Sequence, residues 1–203
     1  MVESMKKTLV ESVIRFGKDN DFDRAHACQV AELSLMLFDN LQNLHRMGNT
    51  ERLWLRTAAL MHDVAKRLDR ENHHKLAREV IVGCEILPFS KKVRKMIGLI
   101  ARYHRGEAPE VSNKHYRKLD KESRMYVKKL AAILRIADGL SSYSLRSVDN
   151  IKCSVRDSEV IAQIKCTGYP DVYKAMRKAA LFEDVFDKTF TIRLKVSGLS
   201  VKS

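Results

Sequence analysis

The stretch Leu60-Met61-His62-Asp63-Val64-Ala65-Lys66 decides how the chain is read, because an apolar helical pattern runs directly into three polar side chains. On a helix His62 and Asp63 project about 100° apart, so they offer one ion an imidazole nitrogen and a carboxylate oxygen. Lys66 lies one turn further along, where it could contact a phosphate on that ion or be an ordinary exposed lysine at a helix end. The stretch therefore predicts a metal and phosphate site at the end of a helix.

Further ligands must come from other helices, and the candidates at the end or on the face of an apolar pattern are His26, His104 and Asp138. A histidine beside an apolar stripe is more often an ordinary packed residue than a ligand. A buried aspartate needs a cationic partner, because burying a bare carboxylate is costly. That partner could be a metal, Arg135, Arg146 or another cation, so these residues alone leave the ligand set open.

Apolar residues that recur every three and four positions predict a mainly α protein. Helices are expected over residues 3–17, from Asp23 as N-cap to Gly48, from Thr50 as N-cap into His62-Asp63, over 73–87, from Ser90 to Gly106 and from Glu122 to Gly139, with an exposed basic loop over 106–120. Alternating apolar residues predict strands over 151–155 and 160–166, and residues 189–196 predict a third strand. Residues 170–186 between them are expected to be helical. We therefore expect a helical bundle over 1–145 and a small α+β (ββαβ) subdomain over 146–203.

Composition and charge describe a helix-rich globular protein that attracts anions. The 203 residues carry a net charge of +13, and residues 91–129 hold 13 Lys and Arg against four Asp and Glu. Such a field draws polyanions, although a solvated helix face explains a charge cluster equally well. Nucleic acid is a partner that this pattern allows but does not favour. No apolar run is long enough for a membrane span and no signal peptide is evident, so we expect a cytoplasmic protein.

The order His26, His62-Asp63 and Asp138 resembles the HD superfamily of metal-dependent phosphohydrolases, whose signature is H…HD…D spread over a helical bundle. Other segments are similar to the C-terminal HD-like domain of the exopolyphosphatase and guanosine pentaphosphate phosphohydrolase (Ppx/GppA) family. These segments are Asp23-Arg-Ala-His26, Asn72-His-His-Lys75, Ile100-Ala-Arg-Tyr-His104-Arg-Gly, Leu134-Arg-Ile-Ala-Asp138-Gly-Leu and Lys178-Ala-Ala-Leu-Phe182-Glu-Asp-Val-Phe186. The resemblance covers nearly the whole chain. Its specificity comes from the presence of all these motifs in the same order, and not from any single motif.

The resemblance implies a fold, a cofactor and roles for particular residues. It implies an HD-type bundle that holds one divalent metal ion, with Mn²⁺, Mg²⁺, Fe²⁺, Co²⁺ and Ni²⁺ all suited to ligands without thiolate. The implied metal ligands are His26, His62, Asp63 and Asp138, with His73 and His104 as candidates for a second ion; Asp63, Lys66 and Arg105 take catalytic roles, and Arg24, Lys66 and Arg105 bind substrate phosphate. The expected activity is hydrolysis of a phosphate ester or phosphoanhydride in a nucleotide, guanosine polyphosphate or polyphosphate.

The same family also implies an alternative function. In its full-length members the main hydrolysis belongs to a separate N-terminal actin-like ATPase domain, while the HD-like part assists binding and dimerisation. A chain of this kind could therefore be a non-catalytic module that binds polyphosphate, nucleotide or RNA, or that regulates by dimerisation. The resemblance favours a homodimer under both functions, and the exposed edge strands are candidates for its interface or for docking another protein.

Overall fold

A computed structural model describes Val13 and residues 23–141, 148–167 and 170–196. The predicted helix over 3–17 lies outside the described residues except for Val13, which is helical and buried. Within the described part the chain is mainly helical and ends in a three-stranded sheet, so the predicted fold class is confirmed. None of the helices described is long and apolar enough to cross a bilayer.

The bundle is built around one long helix. In chain order its described helices are α1 (Arg24–Asn40), α2 (Gln42–His45), α3 (Asn49–Met61), α4 (His73–Gly83), α5 (Lys91–Arg102), α6 (Lys114–Arg117) and α7 (Lys121–Leu140). α7 packs against α1, α3 and α5, and α4 packs mainly against α5. Because α7 buries Leu130, Ile133 and Leu134 completely, its last turn also lies in the interior, and that turn carries Asp138.

The sheet follows the bundle and packs against it. Its strands are β1 (Val148–Val155), β2 (Glu159–Cys166) and β3 (Thr189–Val196), with α8 (Val172–Arg177) and α9 (Ala180–Phe186) before β3. β1 and β2 are antiparallel, β2 and β3 are parallel, and β2 is central. The subdomain is therefore ββααβ, and the single helix predicted over 170–186 is wrong. The division of the chain at residue 145 stays a prediction.

Two predictions around the start of α3 are wrong. The helix expected to reach residue 48 is interrupted at Leu41, and α2 then ends where Arg46 adopts the left-handed conformation with φ of 57°. Gly48, and not Thr50, is the N-cap of α3, and its N–H donates to Glu51 Oε2 at 2.8 Å. The carboxylate of the first turn thus satisfies the backbone at the helix entrance.

The stretch expected to be an exposed basic loop over 106–120 is partly ordered. It contains α6, whose N-cap Asn113 accepts hydrogen bonds from the backbone N–H groups of His115 and Tyr116. The ring of Tyr116 is buried, and its hydroxyl donates to Arg124 O at 3.1 Å. One aromatic anchor therefore holds this basic segment against the bundle.

Candidate metal centre

His62 and Asp63 lie directly after α3, in a turn. α3 ends at Met61, and the chain turns from residue 62 to residue 68, so Lys66 does not share a helix with the pair. The turn nevertheless brings Lys66 Nζ to 2.5 Å from Asp63 Oδ2. Because the second half of α3 is buried, its end delivers His62 and Asp63, which are 0% and 6% exposed, to the interior of the bundle.

Three imidazoles of the site are oriented by the same local interaction, a hydrogen bond from Nδ1 to the backbone carbonyl three residues earlier. The pairs are His62 with Ala59 O at 2.7 Å, His73 with Arg70 O at 2.8 Å and His104 with Ala101 O at 2.7 Å. A carbonyl oxygen can only accept, so Nδ1 carries the proton of each neutral ring. Each Nε2 is therefore left with a free lone pair, the form in which histidine binds a metal.

The fourth imidazole, His26, is held by side chains. Its Nδ1 lies 3.0 Å from Ser141 Oγ, and that hydroxyl donates its only hydrogen to Gln29 Oε1 at 2.8 Å. Ser141 must therefore accept from Nδ1–H, which again leaves Nε2 unprotonated. Sequence reasoning missed both residues, because Ser141 is 115 positions from His26 and Gln29, although one helical turn after His26, is of a residue type common on any helix surface.

The free nitrogens converge on two carboxylates. Two groups of three side chains, His26 with His62 and Asp138, and His62 with Asp63 and His104, bring their ligand atoms within 4.8 Å of one another. His26 Nε2 lies 3.2 Å from His62 Nε2 and 3.4 Å from Asp138 Oδ1, and His104 Nε2 lies 3.7 Å from Asp63 Oδ1. Acceptor atoms that face one another so closely repel unless a cation lies between them. The donor set therefore fits a divalent metal.

His73 adds a buried nitrogen that no hydrogen bond satisfies. Its Nε2 lies 3.0 Å from Asp63 Oδ1 without the geometry of a hydrogen bond. Because a buried polar atom normally has a partner, this position suits a metal ligand. The structure thus brings His73 and His104 to the same carboxylate, which is consistent with a second ion there; that ion stays a prediction.

Both carboxyl groups are held ionised. Burial alone would raise the pKa of Asp63, but the cationic field around it, including the ammonium group of Lys66, outweighs burial and holds that pKa far below its usual range. Burial opposes the ionisation of Asp138 in the same way, but the charge of Lys178 helps to hold its pKa well below the usual range. The site therefore keeps two negative charges in the interior at neutral pH.

Two lysines from α8 and its C-cap reach this interior, and sequence reasoning assigned neither to the site. Lys178 contacts Asp138 Oδ2, and Lys174 Nζ donates to Asp138 O at 3.1 Å. Burial lowers the pKa of Lys178, against the favourable field of Asp138. Arg135, a proposed partner of Asp138, instead binds backbone carbonyls at the end of α5, and Arg146 lies outside the described residues.

A cavity of about 570 Å³ opens onto the site. Its lining residues include His26, Asp63, Lys66, His73, His104, Arg105, Asp138, Lys174 and Lys178. The predicted phosphate-binding residues Lys66 and Arg105 are thus placed at the cavity and exposed, whereas Arg24 lines a neighbouring groove. Cations at the mouth and acceptors in the interior are the arrangement expected for an anion that is drawn onto a metal.

Acidification should destabilise the metal-free protein well before its carboxylates titrate. Burial lowers the pKa of His62 and of His104, and the pKa of His74 is lowered to about 4. Their contribution to stability is complete above the ordinary histidine value near pH 6.5 and is lost as the pH falls from there toward the lowered values. Each fully buried ring should cost roughly 1.4 kcal/mol per pH unit in that window.

Urea denaturation in chelator at pH 7.5, 6.0 and 5.0 measures this slope. The variant His104→Gln should have a shallower slope than wild type, because one titrating ring is gone. Equal stability at pH 7.5 and pH 5.0 would contradict the neutral tautomers described above.

A family comparison shows which proteins the chain is related to. A family model described as Ppx/GppA phosphatase, domain III, matches residues 10–166. No curated protein matches the chain. The matched segment contains α1 to α7 and the β1–β2 hairpin, and it ends before Lys174 and Lys178. Because the match covers more than half of the sequence, the chain belongs to the Ppx/GppA phosphatase domain III family.

Proposed function

We propose that the chain is a metal-dependent phosphohydrolase of the HD superfamily, acting on a phosphate ester or phosphoanhydride of a highly anionic substrate such as a nucleotide, a guanosine polyphosphate or polyphosphate. The observation that carries the proposal is the convergence of unprotonated His26 and His62 nitrogens with the carboxylates of Asp63 and Asp138. Imidazole and carboxylate without thiolate suit Mn²⁺, Mg²⁺, Fe²⁺, Co²⁺ or Ni²⁺.

Different residues would hold the metal ion, orient its ligands and neutralise the charge of the substrate. A divalent ion held there supplies a Lewis acid and lowers the pKa of its bound water. Ser141 keeps His26 in the tautomer that presents Nε2, as the Ala59 carbonyl does for His62. Lys66 and Arg105 line the cavity, where they would neutralise charge that develops on the phosphoryl oxygens.

A second candidate function is a binding module that works without a metal, and one observation favours it. Lys66 contacts Asp63 and Lys178 contacts Asp138, so each carboxylate already has an ammonium partner. The cavity would then bind polyphosphate, a nucleotide or RNA through its cations, and would serve recognition or dimerisation, with no hydrolysis. The two candidates differ in whether the carboxylates bind a metal at all.

Metal content separates the two functions. Protein purified without chelator and incubated with Mn²⁺ should hold close to one transition metal ion per chain, measured by mass spectrometry. Asp63→Ala and Asp138→Ala should each lose it, together with any hydrolysis of phosphate substrates, because each removes a charged oxygen ligand.

Asp184→Ala is the matched control, since it removes an exposed aspartate whose partner is Lys128, away from the cavity. It should keep both metal and activity. A wild-type protein that stays metal-free after incubation with Mn²⁺ rules out the hydrolase and leaves the binding module.

A further inference from the structure

A second cavity, of about 340 Å³, lies where α4, α5 and α6 meet, apart from the metal centre. Six of its lining side chains are basic or are histidine: Arg78, Lys91, Lys92, Lys95, His115 and Lys118. Among the described residues that line this cavity, Asp120 is the one acidic side chain. None of these residues lines the cavity of the metal centre. The two cavities are therefore separate features of the same bundle.

Most of the positive charge in this cavity is not neutralised within the described chain. Asp120 is already committed, because it pairs with Lys92 at 3.0 Å and accepts from Ser123 as N-cap of α7. No carboxylate of the described residues pairs with Lys91, Lys95 or Lys118. Cations that surround one cavity without counter-charges repel each other, and this repulsion raises the free energy of the unliganded protein.

The position of two of these lysines on α5 increases that cost. Lys91 and Lys92 are the first residues of a twelve-residue helix, at its positive end, and its first turn contains no acidic residue. Lys91 and Lys95 are also four positions apart, a spacing at which like charges repel. An anion bound between them would reverse both effects, and the free N–H groups of the first turn would favour it further.

Arg78 gives the cavity a fixed, buried cation. It is 6% exposed, and its Nε has no hydrogen-bond partner, while Nη1 contacts Glu79. The stem of Arg78 lies close over Gly98: a Cβ there would be 3.2 Å from Arg78 Cγ and 3.1 Å from Arg78 O. The close approach of α4 and α5 therefore positions this guanidinium. Burial and the charge of Arg78 also lower the pKa of His115, which shows the sign of the local field.

We propose that this cavity binds a multiply charged phosphate group through Arg78, Lys91, Lys95 and Lys118. The guanidinium and the ammonium groups match the oxygens and the charge of such an anion. The phosphate could be free orthophosphate or pyrophosphate, or the phosphate tail of a nucleotide. The site is independent of the proposed metal chemistry and would place a phosphate sensor on the two helices that carry His73 and lead to His104.

Calorimetric titration of metal-free protein with pyrophosphate, in chelator at low ionic strength, tests this site. Lys91→Gln/Lys95→Gln should weaken binding by about tenfold or more, because two charged contacts are lost. The control Lys165→Gln/Lys195→Gln removes the same charge from exposed positions that face each other on β2 and β3. It should change the affinity by no more than about twofold, as expected from screened long-range effects.

Two outcomes would overturn the proposal: unchanged affinity in Lys91→Gln/Lys95→Gln, or an equal loss in the control, which would mean that only the general field attracts pyrophosphate. In a Lys66→Gln background, which removes a cation from the metal-centre cavity, Lys91→Gln/Lys95→Gln should still weaken pyrophosphate binding by the same factor. Parallel titrations with orthophosphate and ATP identify the source. If Lys91→Gln/Lys95→Gln loses affinity for orthophosphate, the site is assigned to free phosphate. If this variant loses affinity for ATP alone, the site is assigned to the phosphate tail of a nucleotide.

Discussion

Gly139→Ala should lower the free energy of unfolding by roughly 3 kcal/mol or more, the upper part of the range for overpacked interiors. Gly139 lies where α7 crosses α8, and a Cβ there would be 2.4 Å from Ala175 Cα and 2.9 Å from Ala175 N. These are backbone atoms, so the clash is relieved only if α8 moves as a whole. Because α8 carries Lys174 and leads to Lys178, its displacement should also disturb the cationic side of the metal centre.

Urea denaturation followed by circular dichroism measures the effect, with Gly83→Ala as the matched control. Gly83 is the last residue of α4, and a Cβ there meets nothing within 4 Å. The control should be as stable as wild type or more stable by up to about 1 kcal/mol, because alanine restricts the unfolded chain. If Gly139→Ala matches wild type, the close approach of α7 and α8 is not as described.

Lys178→Met should destabilise the metal-free protein by about 3–5 kcal/mol, the usual result of removing one partner of a buried ion pair. The side chain of Asp138 is 9% exposed and that of Lys178 is 20% exposed, so water cannot replace the lost ammonium group well. With Mn²⁺ bound under the proposed function, the loss should be much smaller, because the metal then neutralises Asp138. Denaturation with Mn²⁺ and with chelator gives both values.

Two comparisons isolate the Lys178–Asp138 contact. In an Asp138→Asn background, Lys178→Met should cost under about 1 kcal/mol, since no carboxylate charge is left unpaired. Lys174→Met is the control on the same helix, because Lys174 donates to the backbone O of Asp138 and does not contact its carboxylate. A loss for Lys178→Met that is equal in both backgrounds would trace the effect to packing, and the ion pair would not be its source.

The parts of the fold that are local in sequence could be predicted. Asp23 and Ser90 are N-caps as expected, because a short polar side chain before an apolar pattern satisfies N–H groups only a few residues away. The three strands were also visible as alternating apolar residues. The breaks at Leu41 and Arg46 were not, since neither is the glycine or proline that usually marks such an interruption.

The parts of the site that depend on contact between distant segments could not be predicted in the same way. His62 and Asp63 stand out because they are adjacent and follow an apolar helix. Lys178 pairs with an aspartate 40 positions earlier, and Ser141 reaches an imidazole 115 positions earlier. Only the packing of α7 against α1 and α8 brings these groups together, and the spacing of apolar residues in the sequence does not predict that packing.

The parallel pairing of β2 with β3 has a consequence for how the protein is made on the ribosome. Asp138 is synthesised before the β1–β2 hairpin, whereas Lys178 lies in the crossover that β3 closes. The chain is made from its N-terminus, so the helices around the metal centre emerge before the crossover does. A newly made bundle therefore presents Asp138 without Lys178, and at that stage Lys66 is the ammonium group that a metal ion meets beside the two carboxylates.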